Sequence, residues 1–245
     1  MCQNKPRNYL GFFQICVGKS TIMFPADALT FLRGLARNND REWFNARKEV
    51  FETKLKGPMI ALIEEINAEL MDFAPEHVTD PKKAFYRIYR DTRFSPDKTP
   101  YKTHIAAIFP RKGLEKHAAA GFYFQLSPKG VGIAAGMYAP GPDELRAVRT
   151  FLAENHAKFR VAAKAPEKLF GKLQGESVTR MPKGFDTESP AADLLKMKQW
   201  MFWRELDVPL ATSPKLKAEL VKRFRAAAPV VDMLNSGIKK APMLD

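Results

Sequence analysis

The sequence predicts an α+β fold, in which an antiparallel sheet has helices before and after it. Three observations predict it. Residues 24–73 carry apolar side chains at helical spacing. From "THIAAIFPR" to "GVGIAAGMYAP" the chain breaks into short aromatic or β-branched runs bounded by Pro and Gly, the pattern of successive antiparallel strands. Helical periodicity then returns, without the strand–helix alternation that a parallel sheet requires. Residues 1–22 are expected to be a poorly ordered extension, and residues 23–245 a single domain.

Each element has its own justification. In "FPADALTFLRGLARNND" the residues Leu29, Phe31, Leu32 and Leu35 fall on one helical face. Asn38-Asn39-Asp40 ends that helix, with Asp40 placed to cap the next. "REWFNARKEVFETKLK" sets Trp43, Phe44, Arg47, Phe51 and Leu55 near one side, and Gly57-Pro58 marks a break or a new first turn. "MIALIEEINAELMDF" continues as a helix to about Phe73.

Ser127-Pro128-Lys129-Gly130 reads as the turn between two of the strands. Gly130, Gly132 and Gly136 read as strand glycines that permit close packing. A Pro-Gly-Pro turn stands where a dinucleotide-binding helix would have to begin. "GPDELRAVRTFLAENHAKF" opens a helix at Pro142 with Leu145, Val148, Phe151 and Leu152 on one face. Residues 171–188 are expected as a loop or hairpin. "AADLLKMKQWMFWREL" is expected as a helix or helix-turn, its Trp200, Phe202 and Trp203 serving the core or a helix contact rather than base stacking. The last helix, "KLKAELVKRFRAAAPVVDMLN", is expected to be interrupted near Pro229.

Composition limits the function classes. Hydrophobic residues make up 45% of the chain and there are 18 Phe, enough for a substantial core. No stretch approaches the roughly 20 apolar residues of a membrane helix, so no membrane partner is expected. Cys2 and Cys16 are the only cysteines, so neither a disulfide framework nor a zinc set can be built, and a cytoplasmic location is expected. Lys5 and Arg7 precede a short apolar run, but Gln14 interrupts it and no cleavage pattern follows. "VGKST" lacks the upstream glycine of a phosphate-binding loop, since Phe13 occupies that position. His77, His104, His117 and His156 show no metal-ligand spacing, and neither a metal nor a cofactor is expected. The net charge of +13 implies an anionic partner or a well-solvated surface.

The densest charge lies in "RIYRDTRFSPDKTPYK", residues 87–102. Asp91 and Asp97 can offset two of its five positive charges, leaving a surplus of three. One reading has the arginines forming bidentate pairs with carboxylates that pin the fold. The other makes them a preformed anion site, because planar guanidinium forks match phosphate oxygens. In that reading Arg87, Arg90 and Arg93 supply the forks and Lys98, Tyr101 and Lys102 line the rim. Asp91 and Asp97 position the arginines, and His104 is a further candidate. The expected partner is a small phosphate-bearing anion. Nucleic acid ranks below it, because only the C-terminal "KLKAELVKRFR" offers a second basic stripe. Two alternatives stay open: an enzyme acting on a phosphorylated substrate through Asp91, Asp97 or His104, and a non-catalytic interaction module with an architectural ion-pair motif. Neighbouring arginines lower aspartate pKa values, which disfavours proton transfer by Asp91 or Asp97 at neutral pH.

The stretch resembles the signature R-x-x-R-D-x-R-F-x-x-D-K-x-x-Y of an uncharacterised bacterial and fungal family, the domain of unknown function 2461. Arg87, Arg90, Asp91, Arg93, Phe94, Asp97, Lys98 and Tyr101 fill its fixed positions. "FLRGLARNNDREWF" resembles the family's opening, with Asn38, Asn39, Trp43 and Phe44 in place. The resemblance runs from about Met23 to the C-terminal helix. It implies membership and carries no established activity, substrate or cofactor.

Overall fold

The computed structural model describes residues 22–240 other than residue 115, so the expected N-terminal extension lies outside the described residues except for Ile22. Helix α1 (Ala26–Arg37) buries Ala28, Leu29, Phe31, Leu32 and Leu35, the face that its spacing requires. Asp40 caps α2 (Arg41–Asn45) by accepting from the Trp43 backbone N–H at 2.8 Å. A short α3 (Lys48–Val50) runs through a π-helical segment, Phe51–Lys56, directly into α4 (Gly57–Phe73). Gly57-Pro58 therefore starts α4 without breaking the rod. The Gly57 N–H bonds back five residues to Glu52, and that widened turn accommodates a proline with no N–H to give. Helix α5 (Pro81–Ala84) leads into the arginine motif.

Strands β1 (Ile105–Phe109), β2 (Gly121–Ser127), β3 (Gly130–Met137) and β4 (Trp200–Leu206) form one antiparallel sheet in the order β1-β2-β3-β4. Helix α6 (Pro142–Phe170) and the short α7 (Ala192–Lys196) precede β4, and α8 (Leu216–Lys240) follows it. Alternation sends Phe122, Phe124 and Leu126 into the core, where Phe122 meets Phe224 of α8 at 5.0 Å between ring centres. Helix α8 packs on β2 and β3 and along α6, and the buried residues of these elements form one hydrophobic cluster.

Two expectations for the C-terminal third are corrected. "WMFWREL" is strand β4 and not part of a helix. Trp200 and Phe202 are fully buried on one face while Met201 and Trp203 lie half-buried on the other, a period of two. Pairing with β3 satisfies its backbone, an outcome that seven residues of local sequence do not encode. Pro229 does not interrupt α8. Ala227, Val230, Val231 and Leu234 are all buried around it, and their burial outweighs the roughly 3 kcal/mol that an internal proline costs.

Three asparagines pin irregular segments by offering one amide as both donor and acceptor. Asn67 Nδ2 donates to the Thr79 carbonyl (2.7 Å) and its Oδ1 accepts from the Thr79 N–H (3.1 Å). Asn39 holds Tyr101 in the same way (2.9 and 3.0 Å), and Asn235 holds Ala120 (3.0 and 2.9 Å). Each side chain takes the place of a β-ladder neighbour for one residue of loop. Among the described residues no helix is long and apolar enough to cross a membrane, and no group of three or more metal-ligating side chains gathers.

Candidate functional site

An antiparallel sheet with helices on one face ordinarily presents polar residues on the other. Here the outer positions include Ala106 and Ile108 of β1, Ala134 of β3 and Met201 of β4 beside Tyr123, Gln125 and Trp203, with Gly121 and Gly136 adding no side chain at all. The residues leading into β1 and the loop between β1 and β2 rise around this floor. Together they enclose a cleft of about 720 Å³, within the range of small-molecule sites.

The cleft is aromatic and cationic. Ile108, Tyr123, Ala134 and Trp203 lie side by side across the four strands. The Tyr86 and Tyr123 rings are 6.3 Å apart, and Tyr123 and Trp203 6.5 Å. Lys116 Nζ sits 4.6 Å from the centre of the Tyr86 ring and Lys102 Nζ 5.1 Å from it, while His117 stacks on that ring at 6.2 Å. Lys116 also donates to the Lys83 carbonyl at 3.2 Å. Among the described residues no Asp or Glu lines the cleft, and none forms an ion pair with either lysine. Burial lowers both lysine pKa values, and Arg87 and Lys116 lower that of Lys102 further. The His104 pKa is lowered by burial and then by Lys102.

The arginine motif is neither a helix nor a strand. It is an irregular loop whose two arms meet at a single Tyr89–Tyr101 bridge, with Arg90 N–H donating to the Pro100 carbonyl and Lys102 N–H to the Ile88 carbonyl. Ile88 and Tyr101 point inward, and Tyr101 stacks on Phe44 at 4.2 Å. Arg90 reaches Asp97 and Thr99, with Ser95 at 3.5 Å. Arg93 makes a bidentate pair with Asp91 (3.0 and 2.8 Å), exposed to solvent beside Phe94. Lys98 donates to the Thr92 carbonyl at 2.9 Å. Arg87 is exposed and forms no ion pair with a described residue.

The predicted site residues are thus only partly brought together. Arg90, Asp97, Tyr101, Lys102 and His104 surround a second hollow of about 400 Å³, which shares Lys102 and His104 with the main cleft. Arg87, Arg93, Lys98 and Asp91 do not line either space. The Arg93 and Arg90 hydrogen bonds hold the Asp91 and Asp97 carboxyls down to about 2, so both are ionised at neutral pH and poor proton carriers. The motif's own carboxylates neutralise Arg90 and Arg93. Arg87 and Lys98 have no carboxylate partner among the described residues but line neither space, so the unpaired charge that reaches the cleft is that of Lys102 and Lys116.

Sequence reading missed Tyr86, Lys116, Tyr123, Gln125 and Trp203. Strand alternation alone would have put Tyr123 and Gln125 opposite the core face of β2. Trp203 needed the β3–β4 register, and Lys116 lies in a loop with no periodic signal.

The fold and site define an α+β protein with a basic cleft on the exposed face of a four-stranded antiparallel sheet. The chain matches the family described as conserved hypothetical protein (DUF2461) over residues 27–233 and belongs to it. No curated protein and no solved structure matches it.

Proposed function

We propose that this protein binds a small phosphate-bearing anion in the cleft on the outer face of its sheet. One observation carries the reading: Lys102 and Lys116 converge on a partly buried space that no carboxylate of the described residues lines. Like charges brought together away from water are costly unless an anion joins them, and a bound phosphate would restore the pKa values that burial depresses. His104 and Arg90 line the adjoining hollow, where Asp97 offsets the Arg90 charge. Arg93 with Asp91, and Arg90 with Asp97, act as struts that shape the loop from which Lys102 projects. Asn39 fixes Tyr101, the residue immediately before Lys102.

Thermal unfolding in the presence of inorganic phosphate and ribose 5-phosphate tests this reading. Wild-type protein is expected to be stabilised, by about 2.7 kcal/mol at a hundredfold excess over the dissociation constant, and less as salt rises. Lys116→Gln and Lys102→Gln are expected to lose most of that response while keeping the ligand-free melting temperature near wild type. Identical responses from wild type and both variants would refute the assignment.

A further inference from the structure

We infer that the anion carries a planar ring and that the ligand is a mononucleotide, an assignment that rests on the anion site proposed above. The cleft has two chemically different ends. Lys102 precedes β1 and Lys116 follows it, so the cationic end lies at the β1 edge. Trp203 belongs to β4, about 14 Å away across three strand spacings. That reach suits a phosphate, a sugar and a base laid in line across the sheet.

Features between the two ends fit a base rather than a bare sugar phosphate. Tyr123 and Trp203 give a half-buried aromatic surface over a floor of Ala134 and Gly136. The Trp203 ring sits over Gly132, where any Cβ would come within 2.4 Å of it, so the backbone there is bare to make room for the indole. Gln125 supplies a polar reader. Its Oε1 accepts from the Tyr123 hydroxyl at 2.7 Å, which orients the amide and leaves the Nε2 donors without a protein partner among the described residues. A ring carbonyl or ring nitrogen accepts from such an amide. A ligand without a ring would leave the aromatic row and the Gln125 donors unused, and one without a phosphate would leave Lys102 and Lys116 uncompensated. The volume, about 720 Å³, has room for a whole nucleotide.

Isothermal calorimetry on the full chain tests the assignment with four probes: the common nucleoside 5′-monophosphates, ribose 5-phosphate, the matching nucleosides, and a single-stranded trinucleotide. At least one monophosphate is expected to bind about tenfold or more tighter than ribose 5-phosphate and than its own nucleoside, and to quench tryptophan fluorescence. Trp203→Leu is expected to remove the advantage over ribose 5-phosphate while leaving ribose 5-phosphate binding unchanged. Gln125→Glu, which places a carboxylate in the cleft without touching the core, is expected to weaken every anionic probe. Equal binding of monophosphate and ribose 5-phosphate would overturn the nucleotide assignment and leave the anion site standing. A trinucleotide binding tenfold tighter than any monophosphate would also overturn it. No binding by any probe would remove both readings.

Discussion

Replacing Asn235 with leucine is expected to destabilise the fold by about 2–6 kcal/mol, because two backbone groups lose their partner at once. Asn235 is fully buried on α8, and its amide satisfies both the N–H and the carbonyl of Ala120, 115 residues away in sequence. Leucine has nearly the same size and branching, so cavity formation adds little. What remains is a buried donor and a buried acceptor with no water to replace the amide. Ala120 enters β2 beside the cleft wall, so the loss falls where the β1–β2 loop is anchored. Denaturant unfolding followed by circular dichroism measures it. A loss below about 1 kcal/mol would mean that the surrounding contacts hold the loop without the amide.

Alanine at Gly136 is expected to cost about 3 kcal/mol or more, from two sources acting together. Gly136 has φ of +126°, a backbone conformation that side-chain-bearing residues rarely adopt. A Cβ there would also sit 2.2 Å from the Trp200 carbonyl oxygen and 3.0 Å from the Met201 Cα, both backbone atoms of β4. The neighbouring strand cannot yield without breaking the β3–β4 ladder that holds Trp203 in the cleft. Gly113 provides the comparison. Its φ is +77°, but a Cβ would meet nothing within 4 Å, so alanine there carries only the conformational cost. Gly136→Ala should therefore unfold at clearly lower denaturant than Gly113→Ala, and equal midpoints would show that the contact with β4 relaxes freely.

Much of the fold was legible because its signals are local. The apolar spacing of α1 and α4, the Asp40 cap and the Pro-Gly-bounded strands need only a window of about ten residues. What escaped depends on distant partners. "WMFWREL" fits a helical or a strand period equally well until β3 is beside it. Pro229 looks like a breaker until the residues around it are seen to be buried. The candidate site escaped for the same reason. Charge density drew attention to Arg87, Arg90 and Arg93, yet Asp91 and Asp97 within the same loop neutralise two of them. The cations that reach the cleft without a carboxylate partner among the described residues are Lys102, at the motif's last position, and Lys116, whose approach to Tyr86 is a product of tertiary structure. The charge surplus was readable from composition, but its location was not.

Trace acetylation, with the rate at every lysine read by mass spectrometry, tests the anion site at its own atoms. Lys102 and Lys116 have depressed pKa values and hence more free amine than an ordinary lysine, although both are only half exposed. Saturating phosphate ligand is expected to slow acetylation of these two several-fold and to leave the exposed Lys158 on α6 unchanged. Unaltered rates at Lys102 and Lys116, with ligand demonstrably bound, would place the anion elsewhere on the protein and contradict the account.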